Sequence, residues 1–203
     1  MNNTDKEIVE QNKKLCQEYP FLKPKWAEDD FDYTWTELDN IPKGWRIAFG
    51  DLFCRDLKKA LELEFPDGIP DDFYFIDIKE KWGALRLCMP YESGHIKEFM
   101  HKYEYISQYV CIECGVPYPF AHMTYHGWVQ PMCEKCFLKQ NKHLKHEDYM
   151  QTILRDLDNV KAGPKKVLTI KTYGPDNTSS SYDINIRDTW NEIVDKYVER
   201  TLI

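Results

Sequence analysis

Three segments in the first half of the chain place apolar residues every three or four positions, which is typical of amphipathic helices. The first segment covers residues 4–19 and ends before Pro20. The second begins near Trp45 and ends before Pro66, because proline cannot continue a helix. The third covers residues 93–110 and leads into a cysteine-rich segment. We therefore predict three helices that bury one face each.

Alternation of apolar and polar residues predicts two antiparallel β-hairpins. In the first, a β-rich run over residues 73–79 and an alternating run over residues 84–89 are joined by a turn around Lys81-Trp82-Gly83. In the second, strands over residues 167–173 and 182–186 flank a loop rich in turn-forming residues.

Two further helices are predicted in the second half of the chain. A polar helix follows Cys136 and extends to about Asn159, before an Ala-Gly-Pro sequence that interrupts it. The last helix begins at Asp188, which we expect to cap it. Its buried face is expected to contain Trp190, Ile193, Val194, Tyr197 and Val198.

The order of these elements predicts an α+β fold in which helices surround a small antiparallel hairpin. We divide the chain into an α+β domain over residues 1–105, a four-cysteine module with its following helix over residues 106–162, and a ββα extension over residues 163–203.

Four of the seven cysteines form two C-x2-C pairs, Cys111 with Cys114 and Cys133 with Cys136, separated by 18 residues. This spacing is typical of structural zinc sites, in which four thiolates complete a tetrahedron and leave no position for a reactive water. A first pair in a knuckle, a hairpin, and a second pair at the start of a helix favour a treble-clef-like module, with a zinc ribbon as the alternative. The three other cysteines are expected to be reduced core residues: Cys16, Cys54 and Cys88.

Composition and charge narrow the possible functions. Of 203 residues, 42% are hydrophobic and 30% charged, as in a soluble globular protein, and no apolar run reaches the length of about 20 residues needed to cross a membrane. The start of the chain lacks a signal-peptide pattern, so we expect a cytoplasmic protein.

The net charge is −7, and residues 1–78 hold 18 acidic against 10 basic residues. This excess disfavours nonspecific coating of nucleic acid. The densest acidic stretch, residues 28–39, is either a solvated loop or a docking site for a basic partner.

The first predicted hairpin concentrates Lys79, Lys81, Trp82 and Arg86 around one turn. If Trp82 is exposed, it can stack on a base or sugar while the cations hold a phosphate. In the alternative interpretation, Trp82 packs under the cysteine module and Glu80 pairs with Arg86 across the strands. These four residues are the candidate ligand or partner surface.

Catalysis has weaker support than binding. Treble-clef modules occur in HNH-type nucleases, and this chain has several histidines near its cysteines. However, no Asp or His precedes His122, the gap between the cysteine pairs is short for a catalytic hairpin, and Phe137 stands where such enzymes often have His. The other side chains considered for this chemistry are His126, Asn141, His143 and His146. We assign no catalytic residue.

Several motifs together resemble a family of small bacteriophage and prophage proteins of uncharacterised activity, over about residues 10–137. The motifs are Pro20-Phe21-Leu22, Tyr33-Thr34-Trp35-Thr36-Glu37-Leu38-Asp39, Gly44-Trp45-Arg46, Lys79-Glu80-Lys81-Trp82-Gly83-Ala84-Leu85-Arg86, Cys111-Ile112-Glu113-Cys114-Gly115, Gly127-Trp128 and Cys133-Glu134-Lys135-Cys136. The resemblance implies a phage-encoded zinc-binding protein of the bacterial cytoplasm, with no family activity to transfer.

Two classes of function follow. The favoured class is a non-enzymatic accessory protein that binds a host protein, for example a defence component, through its acidic N-terminal face or its C-terminal extension. The alternative is a nucleic-acid-binding or HNH-like nuclease protein that uses the hairpin and the zinc module. Sequestration of a small molecule also stays open.

Overall fold

The computed structural model describes residues 3–27, 30–71, 73–92, 94–153, 163–173 and 179–201. Within these residues the helices are α1 (Asn3–Glu18), α2 (Lys43–Glu64), α3 (Gly94–Ser107), α4 (Glu134–Gln140), α5 (His146–Thr152) and α6 (Arg187–Thr201), with short 3-10 turns at Pro20–Leu22 and Glu37–Asn40. The strands are β1 (Asp77–Lys81), β2 (Ala84–Cys88), β3 (Ala121–Tyr125), β4 (Val129–Cys133), β5 (Val167–Tyr173) and β6 (Ser179–Asn185). They form three separate antiparallel hairpins, β1–β2, β3–β4 and β5–β6. The predicted α+β class is confirmed.

Helices α2 and α3 pack against each other through aromatic side chains and form the centre of the core. The Phe53 ring of α2 lies 4.9 Å from the Phe99 ring and 5.2 Å from the Tyr103 ring of α3, measured between centroids. Trp45, Phe49, Phe53 and Tyr103 are among the largest fully buried side chains. Aromatic side chains bury large apolar areas, so these rings contribute strongly to the stability of the core.

The β1–β2 hairpin lies beside α3. Its strands are joined by the two residues Trp82 and Gly83, both with positive φ, as a two-residue type I′ turn requires. The predicted strand over residues 73–79 is shifted in the structure, because β1 begins only at Asp77. The preceding Phe73 and Phe75 are buried but extend from a loop onto the Phe21 ring, so burial rather than strand pairing explains their apolar character.

The segment between α1 and α2 is ordered by contacts with both helices. The Asn12 side chain, buried on α1, donates a hydrogen bond of 2.9 Å to the Tyr33 carbonyl. Within the acidic stretch over residues 28–39, the Asp39 carboxylate accepts from the Thr36 backbone N–H, and Glu37 is buried. Glu28 and Asp29 lie outside the described residues. The charge of this stretch favours a solvated loop, but its C-terminal part, with Glu37 and Asp39, is folded against the protein.

The polar helix predicted from Cys136 to about Asn159 is wrong as a single element. Two short helices, α4 and α5, replace it, because the Asn141 side chain folds back and donates to the Phe137 carbonyl. Asp148 then starts the second helix by accepting from the Lys145 backbone N–H at 2.7 Å. The predicted continuation over residues 154–159 lies outside the described residues.

The C-terminal ββα segment packs on α2. Ile184, Ile186 and Ile193 belong to the same buried cluster as the α2–α3 core, and Arg55 of α2 forms two hydrogen bonds with the Glu192 carboxylate. The cap predicted at Asp188 is wrong, because Asp188 lies inside the first turn and the Asn185 side-chain oxygen accepts from the Arg187 backbone N–H. Of the face predicted to be buried, Ile193 is buried, whereas Val198 is wrong because it lies near the end of the helix and is exposed. The division of the chain after residues 105 and 162 stays a prediction.

Candidate metal centre and hairpin surface

The structure brings the four predicted cysteines together. Cys111 and Cys114 lie in the knuckle after α3, Cys133 is the last residue of β4, and Cys136 is in the first turn of α4. Their four Sγ atoms all lie within 4.8 Å of one another, and those of Cys114 and Cys133 are 3.7 Å apart. Four sulfurs about 2.3 Å from one ion at tetrahedral angles would be about 3.8 Å apart. The cluster therefore has the spacing of a tetrathiolate metal site.

The thiols interact electrostatically as a group. The hydrogen bond from the Cys133 thiol lowers the pKa of Cys111 to about 5, assisted by backbone N–H groups of Cys133, Cys114 and Glu113. That same hydrogen bond raises the pKa of Cys133, and burial adds to this rise. Burial also raises the pKa of Cys136 to about 12. Four thiolates this close together are stable only with a compensating cation, and a bound metal ion supplies it and keeps its coordinating thiols deprotonated.

The N-terminus of α2 supports the knuckle, a role that the sequence analysis missed. The Gly44 backbone N–H donates to the Ile112 carbonyl at 2.8 Å, and the Trp45 indole donates to the Val110 carbonyl at 2.9 Å. A Cβ on Gly44 would lie 2.2 Å from the Cys111 carbonyl oxygen. Gly115 has a φ of +77°, and a Cβ on it would lie 2.5 Å from the Gly44 carbonyl oxygen. The two backbones meet so closely that neither position has room for a side chain.

The opposite side of the module rests on α4 and α5. Phe137 is buried between the module and the Tyr149 ring, at 5.4 Å between centroids, and the Tyr149 hydroxyl donates to the Met132 carbonyl at 3.0 Å. The cysteine cluster is thus supported by α2 and by the two short helices, while Cys114 stays exposed.

The histidines considered for nuclease chemistry do not form a second site in the described part of the chain. His122 is half-buried on β3, and burial lowers its pKa. His146 lies 2.8 Å from the Glu134 carboxylate, whereas the His126 ring lies against Phe137. Among described residues, the only group of three or more potential ligands close enough to share an ion is the set of four cysteines.

The four hairpin residues proposed as a partner surface lie at or near the β1–β2 turn. Trp82 is 62% exposed and does not pack under the cysteine module. The Lys81 ammonium lies 4.7 Å from the centre of the Trp82 ring. Lys79 forms an ion pair with Asp77, and Arg86 pairs with Glu104 of α3 at 3.2 Å rather than with Glu80.

The tip of this hairpin contacts the β3–β4 hairpin of the cysteine module. A Cβ on Gly83 would lie 2.5 Å from the Met123 sulfur of β3 and 3.3 Å from the Val129 carbonyl oxygen of β4. The β3–β4 turn adjoining Val129 exposes Tyr125 by 56% and Trp128 by 53%. We call Trp82, Tyr125 and Trp128, on these two touching tips, the two-hairpin face. Sequence reasoning identified only its first member as part of a surface.

No helix in the described part of the chain is long and apolar enough to span a membrane. Comparisons with protein-family models, with curated proteins and with solved structures found no match to this chain. Function therefore has to be argued from the cysteine cluster and the two-hairpin face.

Proposed function

We propose that this protein is a zinc-stabilised, non-enzymatic binding protein that docks a partner protein on its two-hairpin face. The observation that carries the proposal is the exposure of two tryptophans and a tyrosine on two touching hairpin tips, one of which belongs to the cysteine module. Tyr and Trp are enriched in protein interfaces, where a few buried aromatic side chains supply most of the binding energy.

The metal in this proposal is one zinc ion held by Cys111, Cys114, Cys133 and Cys136. The order of knuckle, hairpin and helix that carries these ligands supports a treble-clef-like arrangement rather than a ribbon. Because four protein thiolates complete the zinc coordination, the ion stabilises the fold and holds the β3–β4 tip in place. No reaction chemistry is assigned to it.

Backbone geometry supports a binding role for Trp82. Its φ of +53° lies in the left-handed region, which costs a bulky residue about 1 kcal/mol or more compared with glycine or asparagine. The side chain is mostly exposed, so burial in this chain does not offset that cost. A strained and exposed tryptophan at a turn tip is consistent with selection for contact with another molecule.

Charge favours a protein over nucleic acid as the partner. Two of the three hairpin cations, Lys79 and Arg86, are paired with carboxylates of this chain, which leaves Lys81 beside the aromatic face. Binding to a phosphate backbone depends on several cations that release counterions. The alternative, stacking of single-stranded nucleic acid on Trp82 with Lys81 at a phosphate, is an outcome of the experiment below.

The motif resemblance described above supports placing the partner in a bacterial host, and we propose a host protein, such as a defence component, met in the cytoplasm. Under this proposal the acidic N-terminal half and the C-terminal extension flank the contact rather than form its centre.

Site-specific photo-cross-linking tests the proposed surface. A photoreactive phenylalanine analogue replaces Trp82 or Trp128, and a control carries it at Val198 of α6, which is also exposed. We expect the same discrete protein adduct from both hairpin positions and not from position 198, and its loss when Tyr125 is changed to Ala. Equal adducts at all three positions would contradict the proposal.

Fluorescence anisotropy with a labelled single-stranded oligonucleotide tests the nucleic-acid alternative. Tight, salt-dependent binding that is lost on Lys81→Ala would favour that alternative.

A further inference from the structure

A second candidate site lies at the opposite end of β1, and it goes beyond the proposed function because it does not involve the two-hairpin face. A cavity of about 640 Å³ opens beside the start of β1. Its lining includes Trp26, Trp35, Glu37, Tyr74 and Asp77. The cavity combines a wall of rings with carboxylates.

Glu37 is the unusual member of this site. Its residue is only 8% exposed, and within the described residues its carboxylate has a hydrogen bond from the Asn40 side chain at 3.0 Å and no ion pair. Burial raises the pKa of Glu37, and the Asn40 hydrogen bond opposes that rise only in part. A buried carboxylate without a cation is costly. Such a group is retained most readily where a cationic ligand completes it.

The rings above Glu37 form a surface that attracts cations. The Trp26 and Trp35 rings are stacked, with centroids 6.2 Å apart and planes inclined by 25°, and Trp26 is 68% exposed. The Tyr74 ring of the same cavity already carries a cation, because the Lys25 ammonium lies 3.6 Å from its centre. Ring faces carry negative potential, and a cation within about 6 Å of the centroid is stabilised by it.

The charges around the cavity can be accounted for individually. Asp77 is paired with Lys79, and Lys25 contributes one positive charge at the Tyr74 side. Glu37 is therefore the carboxylate of this lining that forms no ion pair with a described cation, and the Lys25 ammonium lies on the Tyr74 ring instead. Because Trp26 is mostly exposed, a free solute at its ring would stay mostly hydrated, whereas a side chain delivered by a docked protein would be covered.

We propose that this cavity binds a guanidinium or ammonium group on a side chain of a partner protein, with the cation on the free face of Trp26 or Trp35 and its charge balanced by Glu37. The fit is best for arginine, whose planar group stacks on indole rings and donates hydrogen bonds to a carboxylate in one geometry. Lys25, whose ammonium lies on the Tyr74 ring of the same cavity, repels a second cation there.

NMR titration of the indole N–H resonances tests this assignment. The probe is a nine-residue Gly/Ser peptide with a central arginine, and the matched control is the same peptide with citrulline, which has the same shape and no charge. We expect saturable shifts of the Trp26 and Trp35 signals, with binding to the citrulline peptide weaker by about five- to thirtyfold. Equal affinity for the two peptides would overturn the proposal.

Three variants separate the proposed contacts. Glu37→Gln keeps the shape of the side chain and is expected to fold with an unchanged or higher urea midpoint while losing the preference for arginine over citrulline. Trp26→Ala is expected to weaken binding, and Lys25→Gln to strengthen it. Trp128→Ala, which lies in the two-hairpin face, serves as the control and is expected to leave binding unchanged. Failure of Glu37→Gln to fold, or an unchanged peptide preference in it, would overturn the proposal.

Ethylguanidinium distinguishes a free solute from a protein side chain as the source of the cation. The arginine peptide is expected to bind more tightly, because its flanking backbone contacts the cavity rim. Equal or tighter binding of ethylguanidinium would overturn the assignment to a partner side chain. Neither result depends on Trp82, so failure here is distinguishable from failure of the proposed function.

Discussion

Replacement of Gly44 by alanine tests whether α2 and the cysteine knuckle are built as one unit. Helix propensity alone predicts that Gly44→Ala stabilises the protein by up to about 1 kcal/mol, because Gly44 lies in the first turn of α2 and alanine is the better helix former. The structure predicts the opposite sign. The added Cβ would lie 2.2 Å from the Cys111 carbonyl oxygen and 2.6 Å from the Ile112 carbonyl group, and all of these are backbone atoms.

The loss of stability in Gly44→Ala can be derived from the movement that the added Cβ forces on α2 and the knuckle. To reach ordinary contact distances, α2 and the knuckle would have to separate by about 1 Å, which corresponds to overpacking costs of about 1–3 kcal/mol. The separation also weakens the Gly44–Ile112 and Trp45–Val110 hydrogen bonds, each with a net contribution of about 1 kcal/mol. After allowance for helix propensity, we expect Gly44→Ala to lower the free energy of unfolding by about 2–4 kcal/mol.

Urea denaturation followed by tryptophan fluorescence measures this loss. With a slope of about 2 kcal/mol/M, the midpoint should fall by about 1–2 M. Gly50→Ala is the matched control, because Gly50 lies in the same helix but its added Cβ would meet nothing closer than 3.4 Å, at a flexible Arg46 side chain. That variant is expected to be unchanged or more stable. A Gly44→Ala protein as stable as the parent would refute the reasoning.

Three further predictions address other parts of the molecule. Cys136→Ser is expected to abolish stoichiometric zinc binding and to lower the free energy of unfolding by several kcal/mol. Cys54 is a buried cysteine outside the cluster, so Cys54→Ser should keep the metal. Inductively coupled plasma mass spectrometry of the purified proteins distinguishes the two variants. Trp82→Asn is expected to relieve about 1 kcal/mol of backbone strain and so to keep or raise the urea midpoint, while it removes partner cross-linking. A large loss of stability would show that Trp82 is structural. Burial opposes ionisation of Asp56, but Lys102 and the Tyr103 hydroxyl outweigh it and leave the pKa of Asp56 lowered. Because the folded pKa is below the unfolded value of about 3.9, this stabilisation is present above about pH 4 and is lost as the pH falls through the folded pKa. Unfolding measured between pH 2 and 7 should therefore show a smaller acid-dependent loss in Asp56→Asn than in the parent, and equal losses would contradict the assignment.

The sequence predicted those elements that neighbouring residues determine among themselves. The cysteine cluster follows from two short spacings, since each C-x2-C pair presents both sulfurs through one tight turn. Helices α2 and α3 follow from apolar periodicity, and the β1–β2 turn follows from Gly83 between two β-rich runs. These features need no knowledge of distant segments.

Features that depend on long-range packing were not predictable in this way. The contact of Gly44 and Trp45 with the knuckle joins residues more than 60 positions apart, and periodicity shows which face of α2 is apolar but not which segment meets its end. The burial of Glu37 was not predictable for the same reason, because an acidic stretch indicates a solvated loop unless a distant segment packs over it. The break between α4 and α5 has a local cause, the Asn141 side chain, but asparagine within a polar segment is also compatible with a continuous helix.

Metal content is the most direct test of the central claim that the four cysteines hold one structural zinc ion. Native mass spectrometry of protein purified without added metal, followed by the same sample in denaturing acid, gives the stoichiometry in one experiment. We predict an excess mass of one zinc per folded chain that disappears on denaturation, and no such excess in Cys136→Ser. Well-folded protein with no bound metal would contradict the account.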